Sequence, residues 1–108
     1  MSRLISAGLR ETFGDIDIYL FDQLLRGRFD GRPRVLDAGC GDGRNLRFLL
    51  TQGYQCFATD RDARAVDHVR RMAATLAPVT PGTNFQVAEV DGQPWANTSM
   101  DAVVCSAV

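Results

Sequence analysis

Apolar residues recur with helical spacing in three segments of the chain and form short continuous runs between them. In the first segment Ile16, Leu20 and Leu24 repeat every four residues, as one packed face of a helix requires. Helices are predicted at about residues 15–26, 45–52 and 62–76. Strands are predicted at about residues 34–38, 54–59, 84–88 and 101–108.

The order of these elements decides the fold class. Strands separated by helices form a parallel sheet joined by right-handed crossovers, so an α/β domain with helices against its sheet is expected. The 108 residues have the size of one small domain. No internal repeat or linker divides them.

Composition and charge argue against several classes of function and partner. Twelve basic and thirteen acidic residues give a formal net charge of −1, which argues against a broad nucleic-acid footprint. No apolar run approaches the ~20 residues that cross a bilayer, and the first residues lack the apolar centre of a secretory signal. Cys40, Cys56 and Cys105 form no CxxC pair and, with one histidine, leave little for a zinc site. We expect a reduced, cytoplasmic protein with no metal site and no nucleic-acid or membrane partner.

The segment after the first predicted strand carries the strongest candidate chemistry. Asp37 is followed by Gly39, Gly41 and Gly43 at alternate positions. A strand, a glycine turn and a helix in this order build a pocket where backbone amides approach a ligand that a Cβ would exclude. A dinucleotide fingerprint needs its last glycine where this chain has Arg44, so the spacing favours another nucleotide-type cofactor. A tight turn without a ligand is the alternative.

Acidic residues end the two neighbouring strands. Asp60 follows the second strand and is expected beside the glycine turn, where its carboxylate can accept hydrogen bonds from both hydroxyls of a ribose. The alternative role, capping the next helix, is one that Asp62 can also fill. Glu89 follows the third strand and can accept from the amino group of an adenine, while backbone amides near Val90 bond the ring. Asp91 competes with Glu89, and a solvent-exposed loop acid is the other alternative.

Together these residues resemble the class I S-adenosylmethionine-dependent methyltransferases. The matching segments are residues 35–43 (VLDAGCGDG), 58–60 (ATD), 85–89 (FQVAE) and 100–106 (MDAVVCS), with Gln93-Pro94-Trp95 where many members have Leu-Pro-Phe. The resemblance implies a Rossmann-like parallel sheet flanked by helices, truncated after the fourth strand of a seven-strand methyltransferase fold. The expected organisation is a single incomplete S-adenosylmethionine-binding domain, residues 1–108, with a helical segment at 1–32 before the core at 33–108.

The resemblance also implies which residues bind S-adenosylmethionine. Gly39, Cys40 and Gly41 would pass beneath its methionine part. Asp37 would lie near the ammonium group and Ser106 beside the methionine. Asp60 would bind the ribose, Arg61 would flank the adenine, and Glu89 and Val90 would hold the adenine. No catalytic residue is identified, because the sulfonium methyl is already activated and its transfer needs mainly positioning of the acceptor. We expect Cys40 and Cys105 to be packing residues and His68 to be solvated. Trp95 either packs over its loop or borders the cofactor.

The leading hypothesis is a methyltransferase whose cofactor-binding portion this chain contains, with a small molecule as methyl acceptor. A non-catalytic binding or assembly module with the same fold is the second hypothesis. A nicotinamide-dependent oxidoreductase is the third, and Arg44 counts against it. Because the fourth predicted strand would form an apolar sheet edge, self-association near Val103 and Val104 is also expected.

Overall fold

A computed structural model describes residues 16–31, 33–89, 91–95 and 99–105 of the chain. In this part of the chain, three α-helices alternate with four strands in the predicted order. The helices are α1 (Ile18–Leu25), α2 (Leu46–Thr51) and α3 (Ala63–Leu76). The strands are β1 (Arg34–Ala38), β2 (Gln55–Asp60), β3 (Phe85–Val87) and β4 (Ala102–Val104), with a 3-10 turn at Gly82–Asn84 before β3. None of these helices is long and apolar enough to cross a membrane.

Side-chain caps decide where two of the helices begin. The Asp62 carboxylate accepts the Arg64 N–H at 2.9 Å, so α3 begins after Asp62 as predicted. The Asp17 carboxylate accepts the Leu20 N–H at 3.1 Å, so α1 begins at Ile18, where the apolar repeat alone predicts an earlier start. The fourth strand is shorter than predicted, and residues 106–108 of that prediction lie outside the described residues.

The four strands form one parallel sheet in the order β3-β2-β1-β4. In β1, Asp37 lies opposite Ala58 of β2 on one side and Val104 of β4 on the other. Strand β2 pairs in turn with β3, with Asp60 opposite Val87. Because all strands run in the same direction, the residues that follow β1, β2 and β3 meet at one carboxyl edge. The predicted α/β fold with a Rossmann-like parallel sheet is confirmed.

One hydrophobic cluster joins the helices to the sheet. Helix α2 contributes Leu46, Leu49 and Leu50 to this cluster, and α3 contributes Val66, Val69 and Ala73. Val35 of β1 and Phe85 of β3 belong to the same cluster. Burial of each large apolar side chain stabilises the fold by about 1.5–3 kcal/mol. The cluster thereby fixes the strand ends from which the site is built.

Phe57 of β2 packs with Trp95 from the loop after β3. Their ring centroids are 5.3 Å apart and their planes meet at 73°, which is an edge-to-face contact. The guanidinium carbon of Arg34 lies 5.1 Å from the centroid of the Phe57 ring. Of the two roles considered for Trp95, packing is therefore the one for which the structure shows a contact.

Candidate cofactor-binding site

The glycine turn after β1 is fastened to β2 by backbone hydrogen bonds. The N–H groups of Gly39 and Cys40 both donate to the Thr59 carbonyl, at 2.8 and 2.9 Å. Gly39 has a φ of +75° and Gly41 a φ of +54°, a left-handed backbone that residues with a side chain rarely adopt. A Cβ built on Gly41 would meet no atom of the described residues within 4 Å. The turn is thus held on its β2 side and open at Gly41, as close approach of a ligand requires.

Gly43, the third glycine of the turn, has a different role. A Cβ on Gly43 would lie 2.8 Å from Cε of Met72 and 2.9 Å from Cγ2 of Val69, both on α3. Its φ is +83°. Gly43 therefore allows α3 to pack closely against the turn, whereas Gly41 leaves room for a ligand. The sequence pattern alone does not separate these two roles.

Asp60 joins the end of β2 to the glycine turn. Its Oδ2 accepts the Gly41 N–H at 2.9 Å, and its Oδ1 accepts the Asp62 N–H at 2.9 Å. The helix cap considered as an alternative is supplied by Asp62, which accepts the Arg64 N–H. Each oxygen of an ionised carboxylate has a second lone pair. Asp60 can therefore keep both bonds and still accept hydrogen bonds from a ligand.

Asp37 is a buried carboxylate beneath the same edge of the sheet. It is 1% exposed, and neither of its oxygens has a hydrogen-bond partner among the described residues. Burial raises the pKa of Asp37 to about 7, although Arg44 lowers it and Asp60 adds to the rise. A buried carboxylate without donors is costly. The site thus fits a ligand whose positively charged donor group comes close to Asp37.

The remaining predicted residues lie at the ends of β2 and β3 or outside the described residues. Arg61 directly follows β2 and is exposed. The side chain of Glu89 is exposed after β3, and so is that of its competitor Asp91. The Glu89 carbonyl accepts the Gly92 N–H at 3.0 Å, and this bond closes a turn between Glu89 and Gly92. Val90 and Ser106 lie outside the described residues, so their predicted roles stay predictions.

The structure adds two residues that the sequence analysis missed. The hydroxyl of Thr59, which is fully buried, donates to Oε1 of Gln93 at 2.8 Å. Nε2 of Gln93 donates to the Glu89 carbonyl at 2.7 Å. The available signals were a threonine after three apolar residues of β2 and a glutamine just before Pro94. Neither signal predicts a partner so far away in the sequence.

The cysteines near the site are poor nucleophiles. Cys40 and Cys56 are buried, and burial raises the pKa of each thiol to about 12, with a further rise from the charge of Asp37. The expectation that Cys40 is a packing residue therefore agrees with its surroundings. The same expectation is wrong for Cys105, because this residue is exposed at the end of β4. His68 is exposed, as expected. No group of three histidine, cysteine, aspartate or glutamate side chains that could hold a metal occurs among the described residues.

A family model described as a methyltransferase domain matches residues 35–108. The chain belongs to this methyltransferase family. The matched residues begin in β1 and include the glycine turn, Asp60, Glu89 and β4. The family resemblance drawn from the sequence is therefore confirmed. No curated protein matches the chain.

Proposed function

We propose that this methyltransferase domain binds S-adenosylmethionine at the carboxyl edge of its sheet and directs the methyl group to a small-molecule acceptor. The observation that carries the proposal is the pairing of Asp60 with the open backbone at Gly41, at 2.9 Å. A carboxylate in this place suits vicinal hydroxyls, and an open glycine backbone suits a chain that passes over it. A ribose joined to an amino-acid side chain combines both requirements.

The buried carboxylate of Asp37 supports the methionine end of this assignment. The ammonium group of S-adenosylmethionine would supply the donors that Asp37 lacks among the described residues. Gly39, Cys40 and Gly41 would lie beneath the methionine part, and Ser106 is proposed to approach the same part. The bound cofactor supplies an activated methyl group, and the residues of the chain bind and orient it.

At the other end, Asp60 is proposed to bind the ribose hydroxyls, and the adenine is proposed to lie between Arg61 and the turn that begins at Glu89. The Glu89 carboxylate would accept from the amino group of the base, and the Val90 backbone would bond a ring nitrogen. Arg61 and Glu89 are exposed at the ends of adjacent strands, which supports this placement.

The acceptor class and the location rest on sequence-level observations. A formal net charge of −1 supports a small molecule rather than a nucleic acid as the acceptor. Cys40, Cys56 and Cys105 are all free thiols, which supports a reducing, cytoplasmic location.

We also propose that two copies of the chain associate through β4. Among the described residues β4 pairs only with β1, so its other edge offers unpaired backbone groups to a second chain. Val103 is 60% exposed on this strand. A net charge of −1 produces little repulsion between two copies, which supports a second copy as the occupant.

Calorimetric titration of the folded protein with S-adenosylmethionine and S-adenosylhomocysteine tests the cofactor assignment. Saturable binding of both is expected, with no binding of a nicotinamide dinucleotide in a parallel titration. Failure of both adenosyl ligands to bind would overturn the proposal, and binding of the dinucleotide instead would favour an oxidoreductase. Transfer of a labelled methyl group to a panel of small acceptors tests the proposed methylation of a small molecule. Cofactor binding without transfer to any acceptor would favour a non-catalytic module.

A further inference from the structure

Thr59 is the point at which the glycine turn and the turn after β3 meet. Its carbonyl accepts the N–H groups of Gly39 and Cys40, while its hydroxyl donates to Gln93 at 2.8 Å. Thr59 is fully buried, so its side chain is fixed by packing as well as by hydrogen bonds. One residue of β2 therefore sets the positions of two loops that reach the proposed site from different strands.

Gln93 completes this link, and its amide has only one consistent orientation. Nε2 of Gln93 lies 2.7 Å from the Glu89 carbonyl, which can only accept a hydrogen bond. The amide nitrogen must therefore face Glu89, which leaves Oε1 to accept from the hydroxyl of Thr59. A residue that only accepts cannot make the bond to the Glu89 carbonyl.

A backbone hydrogen bond joins the residue before Glu89 to the end of β2. The Ala88 N–H donates to the Asp60 carbonyl at 3.0 Å. Beyond it, the Glu89 carbonyl accepts from Gly92 within the turn and from the Gln93 side chain. The Glu89 side chain itself is exposed. The bridge from Gln93 to Thr59 is thus a side-chain link that connects the turn back to β2.

We propose that Gln93 is a positioning residue for recognition of the adenine base. It ties the Glu89 carbonyl to the hydroxyl of Thr59, so that Glu89 is in place before the base arrives. Preorganisation of this kind increases affinity because the turn does not have to be ordered on binding. The inference rests on the proposed S-adenosylmethionine site and adds to it how the chain tells one base from another.

Two ligands separate a positioning role from a structural one. The probes are S-adenosylhomocysteine and its analogue with hypoxanthine in place of adenine, which lacks the exocyclic amino group. Replacing Gln93 by Ala is expected to weaken binding of the adenine ligand by about tenfold and that of the hypoxanthine analogue by much less. The preference for adenine over hypoxanthine should therefore fall.

Conservative variants and a matched control sharpen the test. Gln93→Glu keeps the length of the side chain but cannot donate to the Glu89 carbonyl, and Thr59→Val keeps the shape but loses the hydroxyl. Both should lower the adenine preference, whereas Thr59→Ser should retain it. Gln86→Ala is the control, because Gln86 donates to the Thr83 carbonyl, away from this turn, and should leave the preference unchanged.

The outcomes separate this inference from the proposed function. If the unmodified chain binds neither ligand, both fail. If it binds S-adenosylhomocysteine but the Gln93 variants weaken the two ligands equally, only the positioning role fails. Circular dichroism establishes that each variant is folded. Should Gln93→Ala not fold, Thr59→Val and Gln93→Glu give the same comparison, and an unchanged preference in either would overturn the inference.

Discussion

The backbone N–H of Gly41 donates a 2.9 Å hydrogen bond to Oδ2 of Asp60, 19 residues further along the chain. The bond connects the turn after β1 to the end of β2, at the edge where a ligand is proposed to bind. Hydrogen bonds to an ionised carboxylate are stronger than those between neutral groups. The Asp60 carboxylate is therefore oriented before a ligand arrives, and the glycine turn is held by the side chain that is proposed to bind the ribose.

Removal of the Asp60 carboxylate should impair cofactor binding far more than removal of its neighbour. Asp60→Ala is expected to weaken binding of S-adenosylmethionine by about 1.5–3 kcal/mol, because a charge-assisted hydrogen bond is lost. Asp62→Ala should instead lower the free energy of unfolding by about 1 kcal/mol through loss of the α3 cap, with little change in Kd. Calorimetric titration and chemical denaturation of both variants measure the two quantities. Equal losses of affinity would contradict the ribose role of Asp60.

The glycines of the turn should respond differently to an added methyl group. Gly43→Ala places a Cβ 2.8 Å from Met72 and 2.9 Å from Val69, so thermal unfolding should show a large loss of stability. The left-handed backbone alone costs about 1–2 kcal/mol, and displacement of α3 adds to it. Gly41→Ala incurs the backbone cost without a clash, since its Cβ would face open space among the described residues.

The affinity for the cofactor should fall more in Gly41→Ala than in Gly43→Ala, which is the reverse of their order in loss of stability. The methyl group of Gly41→Ala would occupy the space proposed for the methionine part, so its loss of cofactor affinity should exceed its modest loss of stability. A Gly41→Ala variant that binds S-adenosylmethionine like the unmodified chain would show that the cofactor does not pass over this backbone.

Local patterns in the sequence predicted those features whose causes are local. The apolar pair in β1 and the capping carboxylate of Asp62 each act within a few neighbouring residues, and both elements begin where predicted. The link from Thr59 to Gln93 spans 34 residues and depends on how β2 and the loop after β3 come together. A hydropathy pattern does not predict such a pair, because threonine and glutamine side chains are both equally acceptable where they face water.

A charge placed on β4 should prevent association of two chains. Light scattering of the unmodified chain is expected to show a mass above that of the monomer, increasing with concentration. Val103→Lys should shift the mass towards the monomer, because a charged side chain on an edge strand opposes pairing with a second strand. Val79→Lys is the matched control, since Val79 is 93% exposed but lies in the loop after α3. A monomeric mass for the unmodified chain at all concentrations would refute the proposed interface.

Burial of Asp37 gives the stability of the unliganded protein a defined pH dependence. Its pKa is raised from 3.8 to about 7, so between these values the folded chain holds a proton that the unfolded chain has released. The contribution of Asp37 to the free energy of unfolding must therefore fall as the pH rises from about 4 to 7, and it is constant above that range. The direction is opposite to that of a salt-bridged aspartate, whose contribution increases with pH.

Asp37→Asn removes this titration and should flatten the pH dependence. An amide carries no charge to desolvate. The free energy of unfolding of the variant minus that of the unmodified chain should therefore increase by about 2–3 kcal/mol as the pH is raised from 5 to 8. Urea denaturation at several pH values measures the difference, with Asp42→Asn as a control for the loss of an exposed negative charge in the same turn. The affinity of this variant for the cofactor should instead fall, since its neutral amide cannot attract an ammonium group as a carboxylate does. Parallel stability curves for Asp37→Asn and the unmodified chain would show that Asp37 is ionised in the folded protein throughout this range.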